Sequence, residues 1–472
     1  MSDRSPADEV PPRVLGYSDL EGVYDHPARV GRFAGELTAR NDDRTLVVGA
    51  GDDTALGTLG LLGDDGPGEA HPFFEAVAPD AETVGNHDLD LGDEWFREWA
   101  ASVPTDYVCA NLAGPYADAV PDAVVREAAG ADVAVVGVAH PETAAVSGTD
   151  FDARFRDPVP AVRAALAERD VDRAVVLSHG GAHDAAVARE TDVDAVVGGH
   201  SHERRVDVLD GTALVRTGGG GRAFAEVVLA DDPRATVREV PAAAPEGGDE
   251  GDAPFDAALA ESYRRRRRAL GVAEVVARVE KPVRRERVHR RGGESRLGNF
   301  VADAFLAATD ADCAVVPAGM VRAGPPLSGE VTAGDVVSIS PFGGDLAELA
   351  LTGERLRTEL AALATPGAEE WLGGHVAGLR VRWDRDGGVA SLAVDGEPAD
   401  PSATYRVATA DYLVVADEFE RITDDDLLGR RGKRYEALVA HARRGGLDVD
   451  VDGRVGLVGV EGSESTSDAD SD

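Results

Sequence analysis

From its amino end the chain alternates short apolar runs with longer amphipathic ones. "RVLGYSD" is followed by the helix-patterned "HPARVGRFAGELTAR" and then by "RTLVVGAGDD". "DVAVVGVA", "RAVVLSH" and "VDAVVGGH" are further Val-rich runs of strand length, each ending in or near Gly, His or Asp. "PVPAVRAALAERD" and "AHDAAVARE" carry helical spacing between them. β-Branched runs that are apolar at consecutive positions, rather than alternating, predict strands covered on both faces, and strands separated by helices predict an α/β fold. The residue pattern points to one sheet, with a loop leaving each strand.

The apolar pattern breaks at "PAAAPEGGDEGDAP", residues 241–254, which cannot bury a core and reads as linker. A helical stretch with five consecutive arginines, "AALAESYRRRRRALG", follows it. The expected organisation is a first domain at 13–240, a linker and connecting helix at 241–272, and a second, mixed α/β domain at 273–460. The tail at 461–472, "EGSESTSDADSD", is acidic and aromatic-free and is expected to be disordered. Two domains also suit a length of 472 residues, beyond what one core ordinarily serves.

Charge narrows the partners. The 87 Asp and Glu outnumber the 48 Lys and Arg, for a net charge of −39, and the only lysines are Lys281 and Lys433. Such a surface repels nucleic-acid phosphates and anionic membranes, so neither a long polynucleotide nor a membrane is an expected partner. It suits a high-salt cytoplasm, where ions screen the self-repulsion. The arginine run is then a solvated face that neutralises acidic neighbours. The opening "MSDRSPADEVPPRV" has no apolar run behind a basic start, and a cytoplasmic location is the expectation. Cys109 and Cys313 fit no disulfide or zinc spacing and read as buried small hydrophobes.

The candidate chemistry lies at the strand exits. "GYSDLEG" places Asp19 and Glu21 there, "VVGAGDD" Asp52, and "TVGNHDLDLG" Asn86, His87, Asp88 and Asp90. "VVLSHGG" adds His179, and "VVGGHSH" adds His200 and His202. Eight of the eleven histidines fall before residue 203. Loops beyond the carboxyl ends of strands are where α/β folds assemble sites. A thiol-free set of carboxylate, amide and imidazole donors suits Mn²⁺, Mg²⁺, Zn²⁺ or Fe. His26, His71 and His140 fit no such position and read as surface or structural; His183, four residues after His179 on the following helix, reads as an ordinary helical residue, with a place behind the ligands as the alternative.

As an ordered series these motifs resemble the calcineurin-like metallophosphoesterases, and among them the two-domain 5′-nucleotidase family. That family's Asp-x-His, Gly-Asp, Gly-Asn-His-Glu/Asp, Ser-His-Gly and Gly-His-x-His stand here as Asp19-Leu20-Glu21, Gly51-Asp52, Gly85-Asn86-His87-Asp88, Ser178-His179-Gly180 and Gly199-His200-Ser201-His202. Only the first is altered, by Glu21. "ESRLGNFVADAFLAATDAD" and "LALTGERLRTEL" are similar to phrases of the family's substrate domain.

The resemblance implies an N-terminal β-sandwich flanked by helices, and a mixed α/β substrate-binding domain after it. It implies two divalent metal ions (Mn, Mg, Zn or Co) bridged by Asp52. One would take Asp19, His202 and Glu21; the other would take Asn86, His179 and His200. It assigns catalysis to His87, oriented by Asp90.

For the substrate, "PAGMVR" retains Arg322 as a phosphate ligand, but Pro317 stands where the family has Asn. Phe342 and Tyr412 would clamp a base, with ordinary core packing as the competing reading. Asp417 would contact the ribose, and Arg290 and Arg291 lie near another phosphate-binding position. The implied activity is hydrolysis of nucleoside 5′-monophosphates. The alternatives are a phosphodiesterase or pyrophosphatase acting on cyclic nucleotides or nucleotide-sugars, and a catalytically weakened nucleotide sensor suggested by Glu21.

Overall fold

The apolar runs of the first half form β1 (Arg13–Tyr17), β2 (Thr45–Gly49), β3 (Ala81–Thr83), β4 (Tyr107–Val108), β5 (Ala123–Ala128), β6 (Ala131–Ala139), β7 (Arg173–His179), β8 (Ala195–Gly198), β9 (Arg204–Leu209), β10 (Thr212–Thr217), β11 (Ala223–Val228) and β12 (Arg234–Glu239). The structure is a computed structural model and describes residues 10–114, 117, 120–143, 153–167, 169–242, 252–286, 293–368, 371–414 and 422–458. The expected tail and Arg290, Arg291 and Asp417 lie outside the described residues.

These strands make two six-stranded sheets, in the orders β12-β11-β1-β2-β3-β4 and β9-β10-β8-β7-β6-β5. β1 to β4 run parallel, as do β6, β7, β8 and β10, with antiparallel strands at the margins.

The single sheet read from the residue pattern is therefore two sheets, packed face to face. Val14, Leu46 and Val48 of the first share one buried core with Val133, Val135, Val175, Leu177, Val197 and Val215 of the second. The outer face of the second sheet is covered by helices. There Val136, Val138, Val176 and Val196 pack against Val159 and Val162 of the helix Pro158–Leu166. On the first sheet Tyr17 meets Phe33 of α1 (Pro27–Thr38) edge-on, with ring centroids 5.9 Å apart. Each buried Val contributes about 1.5–3 kcal/mol relative to exposure. A strand covered by helices on both sides and one covered by a helix and a second sheet have the same apolar run, which is why the pattern alone could not count the sheets.

The chain divides into two compact units, Met1–Arg267 and Arg268–Asp472. Towards the end of the first lies α2 (Ala257–Ala269), which buries Leu259, Ala260 and Tyr263. Of its arginines, Arg266 pairs with Glu69 at 2.8 Å, the neutralising role expected of the run.

In the second unit a helix at Arg296–Ala307 is capped by Ser295 Oγ, which accepts from Gly298 N at 3.1 Å. It accompanies a five-stranded sheet of β13 (Cys313–Pro317), β14 (Asp345–Thr352), β15 (Gly374–Ala377), β16 (Thr404–Ala410) and β17 (Leu427–Lys433), in the order β15-β13-β16-β14-β17. Both cysteines are free and buried, and burial pushes each thiol up to about 12. Among the described residues no helix is long and apolar enough to cross a membrane.

Candidate metal centre

The carboxyl ends of β1, β2 and β3 in one sheet and of β7 and β8 in the other deliver their donors to one place. Among the described residues, three groups bring ligand atoms within 4.8 Å of one another: Asp19, Glu21 and His202; Asp19, Asp52 and His179; and Glu21, Asp52 and His87. His202 Nε2 lies 3.3 Å from Asp19 Oδ1 and 3.5 Å from Glu21 Oε1. His179 Nε2 lies 3.0 Å from Asp52 Oδ2. His200 Nδ1 is 2.9 Å from Asn86 Oδ1, and its ring is 5.1 Å from that of His179. His87 Nδ1 is 2.9 Å from Asp90 Oδ2, and its backbone N–H donates to Asp52 Oδ1 at 2.7 Å. The nine first-domain residues that the resemblance assigns to the metals and to catalysis are brought together.

The backbone is bent to make this possible. Asp19, Glu21, Asp52, His200 and His202 all have positive φ, between 41° and 71°. They are five of the nine non-glycine residues in that region among the described residues. Such conformations cost on the order of 1–3 kcal/mol each and persist where surrounding structure enforces them. The enforcement is visible. Asp19 N donates to Gly51 O at 3.0 Å, and buried Asp88 accepts from Asp52 N at 3.1 Å and Gly85 N at 2.8 Å. A Cβ on Gly85 would fall 2.0 Å from Asp52 Oδ1, so that loop can approach only as glycine.

The donors fit a cation. Asp19 Oδ2 is buried without a hydrogen-bond partner, which is costly unless another ligand satisfies it, and buried His179 Nε2 has only the Asp52 carboxylate before it. Burial would raise Asp52, but the charges of His179 and His87 hold it at about 2. Burial would lower His179, yet Asp52 and Asp19 lift it to about 10. Hydrogen bonds to Asp19 and Glu21 lift His202 to about 10. Burial opposes the charged form of His87, but its bond to Asp90 and the charge of Asp52 raise it to about 9. The protons that His179 and His202 hold among these carboxylates are the ones a divalent ion would displace.

Several supports were not legible in the sequence. His140, read as surface or structural, stacks on His200 with centroids 5.6 Å apart, and His183 lies 5.0 Å from His140. Asp184 is fully buried, accepts from Ser178 Oγ at 2.7 Å and from Arg216 Nε at 2.8 Å, and so ties the His179 loop to β10, two strands across the sheet. Arg216 also donates to Ser201 Oγ, between the two histidines of the last motif, at 2.9 Å. Neither residue stands in a motif; only the fold brings them there.

In the second unit, Arg322 is exposed, with its guanidinium 5.0 Å from the Phe342 ring centroid. Phe342 and Tyr412 are both half-buried, and Tyr412 also packs against the core. The buried guanidinium of Arg434 lies 5.9 Å from the Phe342 centroid and 5.8 Å from that of Tyr412. Sequence reasoning missed Arg434, which begins an unremarkable helix.

Residues 275–423 match the family model described as the 5′-nucleotidase C-terminal domain. The chain is 25% identical over 471 residues to the endonuclease YhcR of Bacillus subtilis, a match covering 87% of this chain but only 38% of that protein. It is 24% identical to an apyrase of Tabanus yao, covering 82% of this chain and 80% of the relative. In structure it resembles a 5′-nucleotidase precursor of Thermus thermophilus, with a TM-score of 0.72 at 23% identity over 95% of this chain and 99% of the other. Several of its relatives and structural neighbours carry nucleotidase or nucleotide phosphoesterase names. The family match lies in the second unit, and the two-domain mixed α/β architecture of the chain is the one seen in solved 5′-nucleotidases.

Proposed function

We propose that the protein is a metal-dependent phosphomonoesterase that releases phosphate from nucleoside 5′-monophosphates. The observation that carries this reading is the gathering of Asp19, Glu21, Asp52, His179 and His202 around unsatisfied buried donor atoms, with the His87–Asp90 pair alongside. Two divalent cations held there would polarise the phosphoryl oxygens and activate a water for in-line attack. Asn86, His179 and His200 would hold one ion and Asp19, Glu21 and His202 the other, with buried Asp52, 3.0 Å from His179 and grouped also with Asp19 and Glu21, available to both. His87 carries a proton at neutral pH and directs Nδ1–H to Asp90, which leaves Nε2–H to stabilise charge on the phosphoryl group and protonate the departing ribose oxygen.

Base recognition is assigned to Phe342 and Tyr412 and phosphate recognition to Arg322, with Asp417 at the ribose. Pro317 removes an amide with which the family reads the base, so stacking rather than hydrogen bonding carries the preference.

Tyr412→Ala therefore lowers kcat/KM for AMP and UMP alike by about ten- to a hundredfold, the worth of one stacked base, while p-nitrophenyl phosphate hydrolysis is nearly unchanged. Equal damage to the aryl phosphate would return Tyr412 to the core. Preferential cleavage of bis-p-nitrophenyl phosphate over AMP by the wild type would make the protein a diesterase instead.

A further inference from the structure

The arginine run of α2 faces a cleft that the proposed reaction does not use. The cleft has a volume of about 520 Å³, within the range of small-molecule sites, and lies wholly within the first unit. Arg264 and Arg267 of α2 line it with Arg29, Arg204 and Arg222. So does the first turn of α1, which has no side-chain cap and presents the positive end of a 12-residue helix.

Five guanidiniums around one cavity is anomalous in a chain of net charge −39. Carboxylates answer some of them: Arg204 pairs with Glu239, Arg264 lies 3.7 Å from Glu261, and Arg267 feels the charge of Asp25. Among the described residues, Arg29 and Arg222 have no carboxylate within ion-pair distance. Burial and the neighbouring charge of Arg222 depress Arg29. Like charges held together at a helix start are the arrangement that recognises phosphate, whose oxygens accept paired guanidinium hydrogen bonds.

We propose that this cleft is a second anion site, for a small phosphate compound of the charge and size of pyrophosphate, separate from the metal centre. The loop after β10 joins the two. Gly221 and Arg222 line the cleft, while Gly220 N donates to Asp19 O at 2.8 Å, and Gly219 lies against Asp19 and His202.

The test is calorimetric titration of the full metal-loaded chain with inorganic pyrophosphate at constant KCl. The wild type should show two classes of site. Arg29→Gln with Arg222→Gln should remove one, leaving metal content unchanged, and Asp52→Asn should remove the other. Arg267→Gln, a single change at a half-buried position of the cleft wall, should weaken the same class by about tenfold, the scale of one charge-assisted pair. A double variant that titrates like the wild type would overturn the proposal. So would a wild type with only the Asp52-dependent class, which would leave these arginines to the chain's own carboxylates. Because the arginine class is read without turnover, its absence is distinguishable from failure of the phosphomonoesterase reading.

Discussion

Each strand-exit donor was legible as a residue type, and its backbone was not. Asp19, Asp52, His200 and His202 stand where motif spacing puts them, yet nothing in an Asp or a His announces the positive φ that turns it inward. Glu21 replaces a family histidine and still lies 3.5 Å from His202, so the departure retains a donor in place and adds charge to that side. His87 is set apart from the ligands by the resemblance rather than by distance: Asp90 holds its Nδ1, yet its ring also comes within reach of Glu21 and Asp52. His87→Ala should keep its metal content while kcat falls roughly 10²–10³-fold with KM little changed, as for other groups that act on developing charge. Elemental analysis beside steady-state kinetics checks this; loss of metal in the variant would make His87 a ligand.

Strands and helices were legible because apolar runs and helical spacing are local. The pairing of the sheets was hidden, since burial on both faces does not say what covers each face. Buried charge networks were hidden for the same reason: Arg216 and Asp184 are 32 residues apart, and no motif links Glu348 on β14 to Arg406 on β16 and Arg431 on β17. Both guanidiniums lie 2.6 Å from Glu348 Oε2, and Asp310 N donates to Oε1 at 2.8 Å. The bond to Arg431 leads the effects that hold this carboxyl at about 2 despite burial. A carboxyl depressed in the fold stabilises above its unfolded pKa, near 4.5, and that stability is lost as pH falls from there towards 2. Thermal melts between pH 6 and 3 should show Glu348→Gln less stable than wild type at pH 6, with the gap closing on acidification. A gap independent of pH would mean that Glu348 acts by packing alone.

At the scale of the whole molecule, composition said more about surroundings than about chemistry. A charge of −39 loosens a compact fold unless salt screens it, since exposed charges interact over about 10 Å at 0.1 M ionic strength and about 3 Å at 1 M. The melting temperature should rise from low to multimolar KCl; equal or greater stability at low salt would contradict the high-salt expectation. Composition also argued against a long polynucleotide, yet it leaves room for small phosphates: the arginine cleft is a local reversal of that charge, as cations bound among the strand-exit donors would be. The central claim is that Asp52 joins two cations into one hydrolytic centre, and metal content and phosphate release from AMP, read on the same Mn²⁺-loaded preparation in high KCl, test it most directly. The account predicts two metal equivalents per chain with EDTA-sensitive release in the wild type, and loss of both in Asp52→Ala; undiminished release in EDTA, or two metals retained by Asp52→Ala, would contradict it.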